Sequence, residues 1–280
     1  MTQSNQIQVQ RAKALRQLHD RQEVLLLPNA WDAGSARLLA SHDFQAIATT
    51  SGGVAWALGY TDGEQTPLEE VLAVVRRIVR VVEVPVTVDF ESGYGASPTA
   101  VAASVKKIIA TGAVGINLED SMPGHGPLRS IDEAAARIQA ARQAATDMGV
   151  PVVINARIDN WMQGPDQPDA PLAEATARAH AYLTAGADCV YPIGLSDLNT
   201  MQAFVEAVDA PVNMMAGPGT PPLEQLAQIG VARISVATWL TLLAFGTVNQ
   251  AVRTMRTTGR FDGLATTYGY MDAQNLFLSQ

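Results

Sequence analysis

Asp89 and Glu91 stand two residues apart in VPVTVDFESGYG, Asn117 and Glu119 two apart in AVGINLEDS, and Asn155 and Arg157 two apart in VPVVINARID. Along an extended strand that spacing puts both side chains of a pair on one face. Each pair closes a run of Val, Ile, Leu and Ala. Three carboxylates gathered at such strand ends would repel one another, and a divalent cation resolves the repulsion. Oxygen donors without His or Cys favour Mg2+, with Mn2+ as the alternative, over zinc. Because Mg2+ keeps several waters, some of Asp89, Glu91 and Glu119 would reach it through water. Arg157 adds a planar positive fork suited to a carboxylate or phosphonate. Metal and arginine together can hold a 2-oxo acid and stabilise an enolate. Taken singly, each acid could equally cap the following helix; recurrence at three successive strand ends is what points to chemistry.

The elements that must position these pairs follow from the apolar pattern. Eight runs, 23–28, 44–50, 84–90, 113–119, 150–157, 188–194, 210–215 and 231–237, read as buried parallel strands. Amphipathic segments such as PLEEVLAVVRRIVRVV and SIDEAAARIQAARQAATDMG lie between them, and residues 5–22 read as an opening helix. Alternation of strand and helix implies right-handed βαβ units. Eight such units in about 250 residues predict a closed (β/α)8 TIM barrel, with chemistry at the C-terminal strand ends. An open doubly wound sheet is the alternative, but its GxGxxG fingerprint is missing after the first strand. The 280 residues suit one barrel domain, with 238–280 a helical extension that packs on a neighbouring subunit. The loop GPDQPDAP (164–171) reads as a flexible surface excursion, and SMPGHGPLRS (121–130) as a mobile lid.

The remaining inventory excludes several classes. With 27 acidic against 19 basic residues, net charge -8 and no Lys/Arg cluster, nucleic acid is not an expected partner. The single cysteine, Cys189, permits no disulfide within the chain, which suits a reducing cytoplasm; inside a strand run it reads as inert core. The polar N-terminus lacks a signal-peptide core, and no run of about 18 apolar residues predicts a membrane span. Lys13, Lys106 and Lys107 all fall in helical segments, which argues against Schiff-base and pyridoxal phosphate chemistry. His19, His42 and His180 lie in helices or at their ends, too far from strand ends for a zinc hydrolase. His125 sits in the lid segment, as a solvated histidine or as a lid acid or base. The four tryptophans read as packing, and Gly217-Pro218-Gly219 as a tight turn.

On these residues the sequence resembles the isocitrate lyase/phosphoenolpyruvate mutase family over about 23–250. Ser51-Gly52-Gly53 matches its serine-glycine segment after strand two, and Asp62 in LGYTDGE its downstream Asp. Asp89-Phe90-Glu91-Ser92-Gly93-Tyr94-Gly95 matches its D-x-D-x-G-[YF]-G stretch, Glu119-Asp120 its acidic pair, and Ala156-Arg157-Ile158-Asp159 its A-R-x-D stretch. The resemblance implies a Mg2+ site at Asp89, Glu91 and Glu119, and a 2-oxo acid held by Ser51, Gly52, Gly53 and Arg157, with Asn117 on the same face. It also implies a homotetramer of dimers that exchange a C-terminal helix. Proton transfer falls to Asp62, His125 or Tyr94, in that order. The departures concern substrate. The lyase lid motif Lys-x-Cys-Gly-His has no counterpart in SMPGHGPLRS, nor has the lysine and asparagine of the mutase and hydrolase lid. Ile193 stands where the lyases carry glutamate, the strand-seven asparagine is shifted or lost, and Glu91 is one methylene longer than the usual Asp. The expected activity is carbon–carbon cleavage beside a small 2-oxo acid or its adduct, such as oxaloacetate decarboxylation. Carbon–phosphorus chemistry, or a barrel that binds a 2-oxo acid without turnover, are the alternatives.

Overall fold

The computed structural model describes residues 3–20, 23–162 and 172–278. The expected excursion at 164–171 lies outside the described residues. All eight strands form: β1 (Leu25–Leu27 and Asn29–Ala30), β2 (Ile47–Thr49), β3 (Val86–Asp89), β4 (Gly115–Glu119), β5 (Val153–Ile158), β6 (Cys189–Pro192), β7 (Asn213–Met215) and β8 (Arg233–Ser235). Pro28 splits β1, since proline has no N–H to donate; its carbonyl still accepts from Ala48 N at 3.0 Å. The two pieces of β1 join the ring from both sides, Leu25–Leu27 beside β8 and Asn29–Ala30 beside β2, all parallel. β2 through β6 are paired in sequence order, β7 pairs β8, and the Val190–Val212 bridge links β6 to β7. The ring therefore closes as a parallel eight-stranded barrel, and the open-sheet alternative falls.

Helices surround it: α1 (Gln3–Gln17), α2 (Ala33–Ala40), α3 (Ser51–Leu58), α4 (Leu68–Val81), α5 (Pro98–Ile109), α6 (Ile131–Met148), α7 (Leu172–Thr184), α8 (Leu198–Val208), α9 (Leu223–Gln228), α10 (Trp239–Thr258) and α11 (Tyr270–Leu278). In α4 the 3.6-residue period buries Val71, Leu72, Val75 and Ile78, while Glu69 and Glu70 in the first turn and Arg80 in the last complement the helix dipole. Side-chain caps fix where helices begin: Asp32 accepts from Ser35 N, Ser97 from Ala100 N, Ser130 from Glu133 N and Asp197 from Thr200 N. The opening helix ends earlier than expected, at Gln17, and His19 tucks beneath the barrel, 5% exposed. The C-terminal extension is α10 followed by a second helix, α11, where the sequence suggested only a tail; Arg37 Nε of α2 donates to the Leu276 carbonyl. Among the described residues no helix is long and apolar enough to cross a membrane.

Candidate active site

The C-terminal strand ends surround a cavity of about 210 Å3. Asp89, Asn117, Arg157, Ser51, Asp62 and His125 all face it, on one side. Asn29, Tyr191, Ile193, Met215, Ser235 and Thr238 complete the ring.

Asp89 is held in place by three neighbours. Its N–H donates to Thr49 Oγ1 at 2.9 Å, its Oδ2 accepts from Ser51 N at 3.2 Å, and Asn117 Nδ2 stands 3.5 Å from Oδ1. Ser51 N–H belongs to the first turn of α3, so the positive end of that helix points at the cavity. A Cβ at Gly53 would lie 2.6 Å from Thr50 Cγ2 and 2.7 Å from Thr241 Oγ1, and one at Gly52 3.1 Å from Asp62 Oδ2. The glycines let α3 start hard against the first turn of α10 and the loop that carries Asp62.

Arg157 is gripped from behind. Its Nε and Nη2 donate to the two carboxylate oxygens of Asp159 at 2.7 and 3.0 Å, and Nη1 lies 2.8 Å from Glu119 Oε2. Burial opposes its charge most strongly, but Asp159, Glu119 and Asp89 together outweigh that and hold the guanidinium well above its ordinary pKa. Burial pushes Glu119 the other way, far above the usual carboxylate range, against the pull of Arg157. Ser121 Oγ bridges Glu119 and Asp159 at 3.2 and 2.8 Å.

Glu91 is turned away from the cavity. Its two oxygens accept from Glu64 N and from the Tyr94 hydroxyl. Burial, with the nearby Asp89 and Asp62 charges, lifts it to about 7 against those two hydrogen bonds. Burial and the Glu91 charge push the Tyr94 hydroxyl far above its ordinary value. Glu64, Glu91, Tyr94, His125 and Ala237 all adopt positive φ, between 47° and 64°. Such backbone strain gathers where surrounding structure over-determines a site. Arg137 supports the strained loop from below, donating to the Gly95 and Ala96 carbonyls at 2.8 and 3.2 Å.

Of the three carboxylates expected to hold a cation, some of them through water, Asp89 lines the cavity. Among the described residues no three His, Cys, Asp or Glu side chains lie together closely enough to hold a metal directly. Asp89 faces the cavity, whereas Glu91 and Glu119 stand behind it with their oxygens engaged. The extra methylene of Glu91 carries its carboxylate into the Glu64–Tyr94 pocket. The donor set still suits a hydrated cation. Asp62 and Asp89 both face the cavity, and Asp62 Oδ1 is buried with no hydrogen-bond partner.

The 121–130 loop lies over the mouth as a compact hairpin. Ser121 pairs with Leu128, Gly124 N donates to the Gly63 carbonyl at 3.0 Å, and His125 Nε2 stands 3.6 Å from Asp62 Oδ2. Of the three proton-transfer candidates, Asp62 and His125 come together and Tyr94 is committed to Glu91. Asp120 takes a structural role: it accepts from Tyr182 OH at 2.7 Å, Asp159 N at 2.9 Å and Arg178 Nη1 at 3.2 Å. Cys189 is fully buried, and burial pushes its thiol up to about 12, in keeping with an inert core residue. Gly217 forms the expected turn through Thr220, beneath the Trp239 ring.

The sequence reading passed over Asn29, Tyr191, Met215 and Arg233. Asn29 ties the ring together, donating to the Thr49 carbonyl at 2.7 Å and accepting from Val236 N at 2.9 Å. Arg233, fully buried inside the barrel, has Nη2 at 3.3 Å from Asn117 Oδ1, which also accepts from Asn155 Nδ2 at 2.8 Å. The shifted asparagine, Asn213, sits deeper in β7 and pairs with Ser235 Oγ at 3.2 Å, leaving Met215 at the strand end. The alternation read on β3 to β5 holds equally on β1 and on β6 to β8 and would have found these residues.

A closed α/β barrel with acids, an arginine and a helix N-terminus converging on one small mouth is the architecture of barrel enzymes that act on small anions. The family model for phosphoenolpyruvate phosphomutase matches residues 15–256, and the chain belongs to that family. 2-Methylisocitrate lyase of Escherichia coli (strain K12) is 33% identical over 249 residues, covering 85% of this chain and 81% of that lyase. Oxaloacetate decarboxylase of Paraburkholderia xenovorans (strain LB400) is 29% identical over 214 residues, covering 74% and 69%. Among solved structures, a Burkholderia cenocepacia J2315 protein with a provisional phosphonomutase assignment is 44% identical, with a TM-score of 0.83 over 88% of this chain and 99% of that one. The chain is thus an enzyme of the isocitrate lyase/phosphoenolpyruvate mutase superfamily, which holds both lyases and mutases.

Proposed function

We propose that this chain is a Mg2+-dependent lyase that cleaves the carbon–carbon bond beside a small 2-oxo acid, or an adduct of one, through an enolate. Decarboxylation of oxaloacetate is the simplest form of that reaction. The observation that carries the reading is the meeting of Asp89, Asn117, Arg157 and the α3 N-terminus around one cavity of about 210 Å3. Asp89 is the residue assigned to touch the cation, with Asp62, Glu91 and Glu119 acting through water. When bound, the cation supplies positive charge where the 2-oxo acid gathers negative charge. Of the five N–H donors of Arg157, three are committed to Asp159 and Glu119, which leaves two for a substrate carboxylate. The backbone amides of Gly52 and Gly53 supply the helix-end potential beside it. Asp62 and His125 move the proton between the carbon and the mouth.

The 44% identical neighbour favours a carbon–phosphorus form of the same chemistry. Against it, a phosphonate adds negative charge to a cavity whose only lining arginine among the described residues is Arg157. For assembly we assign the exposed apolar face of α10, with Leu243, Val248 and Val252 each more than half exposed, to a dimer of dimers that exchanges the C-terminal helices. The lone, buried Cys189 suits a reducing cytoplasm.

Turnover of oxaloacetate, phosphonopyruvate and substituted malates, with Mg2+ and after EDTA, tests the reading. Metal-dependent release of a 2-oxo acid, lost in Asp89→Asn, is expected. Phosphate release from phosphonopyruvate alone would move the assignment to carbon–phosphorus chemistry. Saturable binding without turnover would make the barrel a binder.

A further inference from the structure

Ser121 stands where Arg157 and the hairpin over the mouth meet. It is fully buried behind the cavity wall and lines no part of the cavity. A hydroxyl carries one proton. The shorter contact, 2.8 Å, gives it to Asp159 Oδ2, with Glu119 Oε1 at 3.2 Å. The same Asp159 oxygen accepts from Arg157 Nη2 at 3.0 Å, and its other oxygen accepts from Arg157 Nε at 2.7 Å. An aspartate carboxylate turns on a soft torsion, so its plane is set by what it bonds. Among the described residues, the Ser121 hydroxyl is the one donor to that carboxylate besides Arg157 itself. The backbone of Ser121 belongs to the hairpin: it pairs with Leu128, and its carbonyl accepts from Arg129 Nη1. His125, at the turn of the same hairpin, stands beside Asp62.

We infer that Ser121 is a positioning residue: its hydroxyl fixes the Asp159 carboxylate, and through it the plane of the Arg157 guanidinium, in register with the hairpin that carries His125. The group that receives the substrate carboxylate and the group that moves the proton are then set by one residue that touches neither substrate nor cation. The inference rests on the proposed 2-oxo acid reading and deepens it. The cation side of the site is independent of Ser121. Asp89 is held by Thr49, Ser51 and Asn117, and none of these bonds passes through the hairpin. Loss of the hydroxyl should therefore weaken the hold on the anion and spare the hold on the metal.

Two calorimetric titrations of Ser121→Ala test this, one with Mg2+ alone and one with pyruvate in the presence of Mg2+. Pyruvate affinity should fall by about tenfold, the effect of one hydrogen bond to a charged group. Mg2+ affinity should change by less than about twofold, which also shows that the variant keeps an intact barrel mouth. In a chain already carrying Asp159→Asn, Ser121→Ala should alter pyruvate affinity by less than about twofold, because the residue it acts through is gone. Should Ser121→Ala not fold, Ser121→Cys, whose thiol is a weak donor, takes its place. Unchanged pyruvate affinity, pyruvate and Mg2+ affinities that fall together, or an equal loss with and without Asp159→Asn overturns the inference and leaves the 2-oxo acid reading standing. No binding of pyruvate to the unsubstituted chain overturns both.

Discussion

Two arginines lie wholly inside this barrel, and their surroundings treat them in opposite ways. Arg157, at the mouth, has two carboxylates against it and stays firmly charged. Arg233, one layer deeper, has no carboxylate within ion-pair distance among the described residues, and its Nε and Nη1 have no hydrogen-bond partner. Burial pulls its pKa below the ordinary arginine value, with Cys189, Tyr191 and Asp89 offsetting part of that. The first arginine is built to meet an anion from outside, at a fixed angle. The second is a barrel-core residue whose one described side-chain hydrogen bond holds the Asn117 amide, so that the amide nitrogen faces Asp89. Burial alone therefore does not mark an arginine as functional; its partners do.

The largest expected effect comes from removing the paired arginine. Arg157→Met takes the partner from the buried carboxyl groups of Asp159 and Glu119 and should cost about 3–5 kcal/mol in urea unfolding, with turnover lost. Arg157→Lys should recover part of the stability, but little of the turnover, because an ammonium cannot grip Asp159 through two nitrogens.

Next in size is an effect at the foot of the barrel, where Arg233 acts on His19. Burial first, then the Arg233 charge, lowers His19 from 6.5 to about 4. The unfolded chain therefore binds the extra proton between those two values. The stabilisation is complete above pH 6.5 and is lost as the pH falls towards 4, amounting to about 3 kcal/mol. The stability difference between the wild-type chain and His19→Gln, followed from pH 7 to pH 4, should carry this slope. A difference that does not change with pH would remove His19 from the account.

The smallest effect should be Arg233→Met. It removes an unpaired buried charge and replaces it with an apolar chain of similar length, so stability should change by less than about 1 kcal/mol. With the Arg233 charge gone, His19 should titrate at higher pH, which narrows the acid window. If Arg233→Met proves as costly as Arg157→Met, the contrast between the two arginines is wrong, and Arg233 has a counter-charge that the fold does not reveal.

Much of this molecule was legible before folding was considered. Eight apolar runs, each too short for a helix and separated by amphipathic segments, dictate parallel strands and a barrel, because apolar periodicity and connection handedness are local properties of the chain. Spacing by two likewise placed Asp89, Asn117 and Arg157 on inward faces, and all three line one cavity. What spacing cannot supply is the direction a flexible side chain takes once its neighbours arrive. Glu91 shares its strand end with Asp89, yet positive φ and two hydrogen bonds turn it away. Glu119 is spent on Arg157. The approach of His125 to Asp62 at the mouth, and the burial of Arg233 without a carboxylate partner among the described residues, exist only once distant segments close into a ring. Each is set by which strand ends become neighbours, and that adjacency is written in no single stretch of the chain.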